Sequence, residues 1–166
     1  MPIALPRSEL NIIVDPQKCA GCQACMLACT LVHEGVENLS LSRIQVSQNS
    51  FGGYPEDLRI AFCRQCVKPS CVEACPTGAC HVDAANHNVR VINVSLCNGC
   101  QKCLEACHFH LAIWDAQRRL ALKCDLCLYA SYWSEIGKQA CIEVCPVKAI
   151  KLEHKTAPTL EKIKED

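Results

Sequence analysis

Sixteen of the seventeen cysteines in this 166-residue chain fall into four groups of four. Cys19, Cys22, Cys25 and Cys29 are spaced C-x2-C-x2-C-x3-C, and Cys97, Cys100, Cys103 and Cys107 repeat that spacing. Cys63, Cys66, Cys71 and Cys75 follow C-x2-C-x4-C-x3-C before Pro76; Cys124, Cys127, Cys141 and Cys145 have a longer insertion between the pairs and precede Pro146. Thiolates at such intervals hold metal. Cysteines two residues apart let one tight loop wrap three corners of a cubane 4Fe-4S cluster, which offers one thiolate position per iron. The fourth corner comes from elsewhere: in the run C-x2-C-x2-C-x3-C-P the fourth cysteine ligates the other cluster of a pair.

Groups therefore work in pairs, the second with the third and the first with the fourth. That pairing expects four ligand sets: Cys19, Cys22, Cys25 with Cys145; Cys124, Cys127, Cys141 with Cys29; Cys63, Cys66, Cys71 with Cys107; and Cys97, Cys100, Cys103 with Cys75. Each fourth cysteine is expected to begin a short helical turn that points away from its own loop. Zinc is the competing reading, since CxxC pairs also build four-thiolate sites. Three thiolates at successive x2 intervals crowd one tetrahedral ion, however, and zinc gives no reason for four near-repeats ending in C-x3-C. The N-terminal stretch has neither a long apolar segment nor a small-residue cleavage site, so a disulfide scaffold and export are not expected.

The elements that must position these thiols are short. NIIVD, LRIAF, VRVINV and RLALK each precede one group and suit small β-hairpins. CHVDAANHNVRVI, from Cys80 to Ile92, places a polar turn between two strand-like runs, so a hairpin joins the second group to the third. A further strand is expected over Ser42–Val46, followed by a surface loop. The expected fold is α+β: an inner two-cluster unit over 58–115 that resembles a bacterial ferredoxin, and a pseudo-symmetric outer unit from 1–57 and 116–155. Residues 156–166 form a charged tail.

Composition narrows the function. Lys+Arg and Asp+Glu both number 17, so no long-range field draws in nucleic acid or an acidic membrane, and protein partners are favoured. No apolar run is long enough to cross a bilayer, and a soluble, cytoplasmic protein is expected. Without its cysteines the hydrophobic fraction falls from 50% to about two fifths, (83 − 17)/166, so clusters must fill part of the interior. Cys80 is read as a packed small hydrophobe rather than a ligand. His108 and His110 are either a surface pair or charges that raise a cluster's potential. Trp114, Tyr129, Tyr132 and Trp133 suit packing or a docking surface better than electron relay. Asp15 and Asp125 show no paired arrangement for acid-base work.

The four groups, with CPTGA in the second and KCDLC opening a fourth that ends CIEVCPVKAI, resemble the four-cluster ferredoxin-like subunits of the dimethyl sulfoxide reductase type from about Asn11 to Leu152. His108 stands where such subunits usually have proline. The resemblance implies four 4Fe-4S clusters, no catalytic site in this chain, and service as an electron conduit between a large catalytic oxidoreductase subunit and a redox donor or acceptor protein. Such subunits accompany molybdenum or tungsten pterin enzymes, carbon monoxide dehydrogenases and hydrogenases, and a small form occurs beside tungsten aldehyde oxidoreductases and benzoyl-CoA reductases. The alternatives are a zinc-bound interaction module, a free-standing polyferredoxin and an autonomous redox enzyme. Four cysteines per cluster leave no iron open to a substrate, which weakens the last.

Overall fold

A computed structural model describes residues 5–133 and 138–155. The expected charged tail over 156–166 lies outside the described residues. Among the described residues, eight strands form four separate antiparallel pairs. β1 (Leu10–Val14) pairs with β8 (Ile150–His154), Leu10 opposite His154 and Val14 opposite Ile150, so the two ends of the described chain close on each other. β2 (Ile44–Gln48) pairs with β3 (Leu58–Phe62), β4 (Cys80–Asp83) with β5 (Val89–Ile92), and β6 (Ile113–Asp115) with β7 (Leu120–Leu122).

A two-stranded ribbon is marginal alone in water, so each pair depends on what it covers. Ile12, Ile44, Val46, Phe62, Val89, Val91, Leu126 and Ile150 are buried in one cluster with Cys25, Cys29, Cys124, Cys141 and Cys145. The thiols are thus part of the core rather than a fringe on it.

The helices are α1 (Ala24–Glu34), α2 (Ser70–Glu73), α3 (Lys102–Glu105) and α4 (Ala140–Glu143); α1 packs against α4 and α2 against α3. One turn is too short to persist by propensity, so α2, α3 and α4 are held by their surroundings. In all four helices the second residue is the third cysteine of its group: Cys25, Cys71, Cys103 and Cys141. This corrects the expected placement. The fourth cysteine does not begin a helical turn; Cys75, Cys107 and Cys145 lie just past a helix end, and Cys29 sits inside the longer α1. Four residues span about one turn, so each helix presents its third and fourth thiols on the same side.

The preceding loops turn sharply through positive φ, at Gly21 and Gln23, Gln65, Gly99 and Gln101, and Leu126 and Cys127. At Gly99 (φ +71) a Cβ would stand 2.5 Å from the Arg119 carbonyl oxygen, so only glycine fits. Strand β2 begins two residues later than the expected Ser42–Val46. The buried Ser42 hydroxyl donates to the Ile44 carbonyl at 2.5 Å and holds the entry to the strand in a turn.

Candidate metal centres

Three cavities are each lined by thiols from two groups. Cys19, Cys22, Cys25 and Cys145 line one, whose other walls include Val14, Val46, Ile60 and Ile150. Cys29, Cys124, Cys127 and Cys141 line a second, with Ile12, Ile44 and Leu126. Cys63, Cys66, Cys71 and Cys107 line a third, which Cys103 also reaches. Their volumes are about 20, 10 and 30 Å³ respectively. Each is about large enough for one or two waters, and what sets the three apart is the ring of four thiols that each shares between two groups. The remaining thiols lie together as well: burial first, then repulsion from Cys71, Cys97 and Cys75, pushes the Cys103 thiol up to about 11.

Thiol donors gathered in fours fit iron-sulfur clusters. Among the described residues, no three His, Cys, Asp or Glu side chains converge closely enough to hold a single metal ion. All seventeen cysteines are free of disulfides. Burial pushes the thiols of Cys25 and Cys127 up to about 11 and about 12, and those of Cys124 and Cys141 well above their ordinary value, with neighbouring charges adding to the shift. Packed thiolates repel one another, and bound metal is what compensates them.

Each fourth thiol also accepts a backbone N–H: Cys29 from Arg43 at 3.3 Å, Cys75 from Cys80 at 3.2 Å, Cys107 from Leu111 at 3.4 Å and Cys145 from Ala149 at 3.3 Å. In three groups the donor lies four or five residues on. After Cys29 the helix continues, so the donor comes from the start of β2. Hydrogen bonds to sulfur are one of the protein's levers on cluster potential. Burial raises the Cys29 thiol, but His33 and Arg43 outweigh it and lower the net value.

Sequence reasoning missed the polar groups behind the thiols. His33 Nε2 donates to Asp125 Oδ1 at 2.9 Å and Nδ1 donates to the Cys29 carbonyl at 2.8 Å. Both partners are acceptors only, so the ring must be protonated on both nitrogens. Burial opposes that charge, yet bonds to Asp125 and Cys29 raise His33 to about 9. Arg43 bridges Asp125 Oδ2 at 3.1 Å and Glu34 Oε1 at 3.3 Å, and Arg118 joins Glu34 to Asp115. Asp125 is therefore a structural anion inside the CDLC loop. A further cavity of about 290 Å³ is lined by His33, Glu34, Arg43, Arg118 and Asp125 of this network. The one signal in the sequence is His33 four residues after Cys29, on the same helix.

Cys80 is buried on β4, as the packing reading requires. It does more than fill space. Interaction between the two thiols is the main influence on both, pulling Cys71 down and pushing Cys80 up. Lys123 is buried as well: burial lowers its ammonium, but Cys63, Cys71 and Cys80 outweigh that and raise it. Gln65 ties two groups together, its Oε1 accepting from the Arg90 N–H at 2.7 Å and its Nε2 donating to the Cys124 carbonyl at 3.1 Å.

His108 and His110 are exposed, with His108 Nε2 3.5 Å from Ser70 Oγ. Trp114 is half-buried, with its ring beside Gly99. Tyr129 is exposed and donates to Asp83 Oδ2 at 2.5 Å; Tyr132 is exposed beside Gly35. Trp133 packs against Ala28, Val32 and Ala140. No helix among the described residues is long and apolar enough to cross a membrane.

Residues 58–156 match one family described as a 4Fe-4S dicluster domain, and residues 11–76 match a second with the same description. Protein NrfC of Escherichia coli strain K12 is 37% identical over 91% of this chain and 68% of its own. The thiosulfate reductase electron transfer subunit PhsB of Salmonella typhi is 33% identical over 87% and 75%, and one chain of the anaerobic dimethyl sulfoxide reductase of Haemophilus influenzae is 31% identical over 86% and 72%. Among solved structures, the active site complex BamBC of benzoyl coenzyme A reductase contains a chain of similar fold, with TM-score 0.51 and 16% identity over 95% of this chain and 82% of that one.

Proposed function

The chain belongs to the 4Fe-4S dicluster family, and from that membership we propose that its sixteen grouped cysteines hold four clusters along one electron path. It is an iron-sulfur electron-transfer subunit of an oxidoreductase complex. The ligand sets proposed are Cys19, Cys22, Cys25 and Cys145; Cys29, Cys124, Cys127 and Cys141; Cys63, Cys66, Cys71 and Cys107; and Cys75, Cys97, Cys100 and Cys103. One observation carries this reading: Cys145 lines the cavity of Cys19, Cys22 and Cys25, and Cys29 lines that of Cys124, Cys127 and Cys141.

The path follows from which sets adjoin. Packed helices α1 and α4 join the first two sets, and α2 and α3 join the last two. Cys124 feels the charge of Cys63, which links the two halves. Cys22 and Cys100, one in each terminal set, are exposed, so an electron enters near one and leaves near the other. Bound clusters supply one-electron chemistry; the chain's own residues exclude water, hold the thiols and set the surrounding charge. The units are an outer one, 1–57 with 116–155, and an inner one, 58–115, related by pseudo-symmetry.

The partner in this reading is a large catalytic subunit, a tungsten or molybdenum pterin oxidoreductase, and a second protein is the donor or acceptor. This chain then has no catalytic site of its own and works in the reducing cytoplasm, where free thiols persist. Iron and acid-labile sulfide counted on anaerobically purified protein test the cluster content. About sixteen of each per chain is expected; stoichiometric zinc with little sulfide would instead establish an interaction module.

A further inference from the structure

The thiol sets differ most in the fixed charge around them. Among the described residues, no charged side chain lines the cavity of Cys19, Cys22, Cys25 and Cys145. Around Cys29, Cys124, Cys127 and Cys141 the cations are His33 and Arg43, and Asp125 and Glu34 answer both. The cavity of Cys63, Cys66, Cys71 and Cys107 is lined by Arg64, Arg90 and Lys123 and, among the described residues, by no carboxylate.

Two of those three cations are buried, Arg90 at 0% exposure and Lys123 at 5%. Arg90 gives its Nη atoms to the carbonyls of Asn88 at 2.5 Å and Pro6 at 2.7 Å, which hold it in place without cancelling its charge. Among the described residues, Lys123 Nζ has no nitrogen or oxygen hydrogen-bond partner. Burying a cation without an anion is costly, so the compensating negative charge is that of the cluster and its thiolates. Reduction adds one further negative charge at the same place, and the attraction of a nearby cation for it is strong where water does not screen it.

We propose that Lys123, with Arg90, makes the cluster of Cys63, Cys66, Cys71 and Cys107 more readily reduced than the clusters of Cys19 and of Cys29, an electron reservoir in the middle of the path. The proposal rests on the ligand sets above. One electron arrives from the donor and raises the cluster's negative charge by one; no bond forms or breaks. No proton need accompany it, because the compensating charges are already present. Lys123 directly precedes Cys124 in sequence, so the reservoir borders the next set, and electrons from either terminal cluster settle there before the acceptor draws them off.

The test uses the full chain, loaded and handled without oxygen. Each cluster's midpoint is followed by redox titration, reading paramagnetically shifted cysteine β-methylene signals together with electron paramagnetic resonance. In the wild type the signals of Cys63, Cys66, Cys71 and Cys107 should change together and before those of the sets of Cys19 and Cys29. In Lys123→Met the reduction equilibrium of that cluster should weaken at least tenfold, equivalent to 59 mV for one electron. The cluster of Cys19 should move less than threefold. Lys68→Met, at an exposed lysine between Cys66 and Cys71, should also shift the cluster less than threefold, because solvent screens its charge. The set of Cys19 or that of Cys29 reducing first in the wild type, or a Lys123→Met protein with unchanged midpoints, overturns the proposal. Should that variant fail to hold iron, the wild-type order decides alone. If Cys63 and Cys107 titrate apart, the ligand set itself is wrong and the proposal falls with it.

Discussion

Replacing Asp125 by asparagine keeps its shape and removes its charge, which isolates what the buried ion network contributes. Asp125 receives His33 Nε2 at 2.9 Å, Arg43 Nη1 at 3.1 Å and the Cys127 N–H at 3.1 Å. Its side chain is 7% exposed, that of His33 3% and that of Arg43 11%. Removing one partner of such a buried group costs about 3–5 kcal/mol, because the other charges remain buried and unanswered. At about 1.4 kcal/mol per tenfold, that is roughly two to four powers of ten in local opening. Glu9 and His87 form an internal control: they are also 2.9 Å apart, but 57% and 55% exposed. Glu9→Gln should therefore cost less than about 1 kcal/mol. Anaerobic hydrogen exchange on the loaded protein reads both at equilibrium, without global unfolding. Protection in α1 and the Cys124–Leu128 loop should fall by the stated factor in Asp125→Asn and hardly change in Glu9→Gln. Equal effects from the two variants would refute the reasoning that burial, not distance, sets the value of these ion pairs.

Cys145→Ala should abolish the cluster of Cys19, Cys22 and Cys25 while that of Cys124, Cys127 and Cys141 persists; iron content and the paramagnetically shifted cysteine signals show which is lost. Cys75→Ala should likewise disturb the cluster of Cys97, Cys100 and Cys103 and spare that of Cys63. Chelating the iron should unfold the chain, since ligation replaces much of a conventional core; an iron-free protein with native circular dichroism and a cooperative melt would contradict this. His33, raised from 6.5 to about 9 on folding, contributes stability that is fully present below pH 6.5 and is lost as pH rises through about 9. Iron release should accelerate across that upper window in the wild type and less so in His33→Gln, and the same acceleration in both would refute the assignment.

The thiols were legible because ligand spacing is a local property of the chain. So were LRIAF, which forms β3, and the hairpin from Cys80 to Ile92, whose polar turn and flanking apolar runs lie within one short stretch. The helical placement of the fourth cysteine was misread by about one turn, since spacing alone does not say which residue starts the helix. Local spacing also says nothing about partners far apart in sequence: His33 and Asp125 lie 92 positions apart, and β1 meets β8 across nearly the whole described chain. Lys123 and Arg90 read as ordinary strand residues until folding brings them to the cavity of Cys63. Nor does the sequence announce the N–H groups that point at Cys29, Cys75, Cys107 and Cys145, because every residue but proline carries one.

Iron-edge anomalous diffraction from anaerobic crystals of the loaded chain tests the central claim most directly. The account predicts four compact groups of four irons, with Cys145 Sγ about 2.3 Å from an iron of the group held by Cys19, Cys22 and Cys25, if iron-thiolate bonds resemble those of zinc. Four isolated single-atom peaks, or Cys145 bound to the group of Cys124, Cys127 and Cys141, would contradict it.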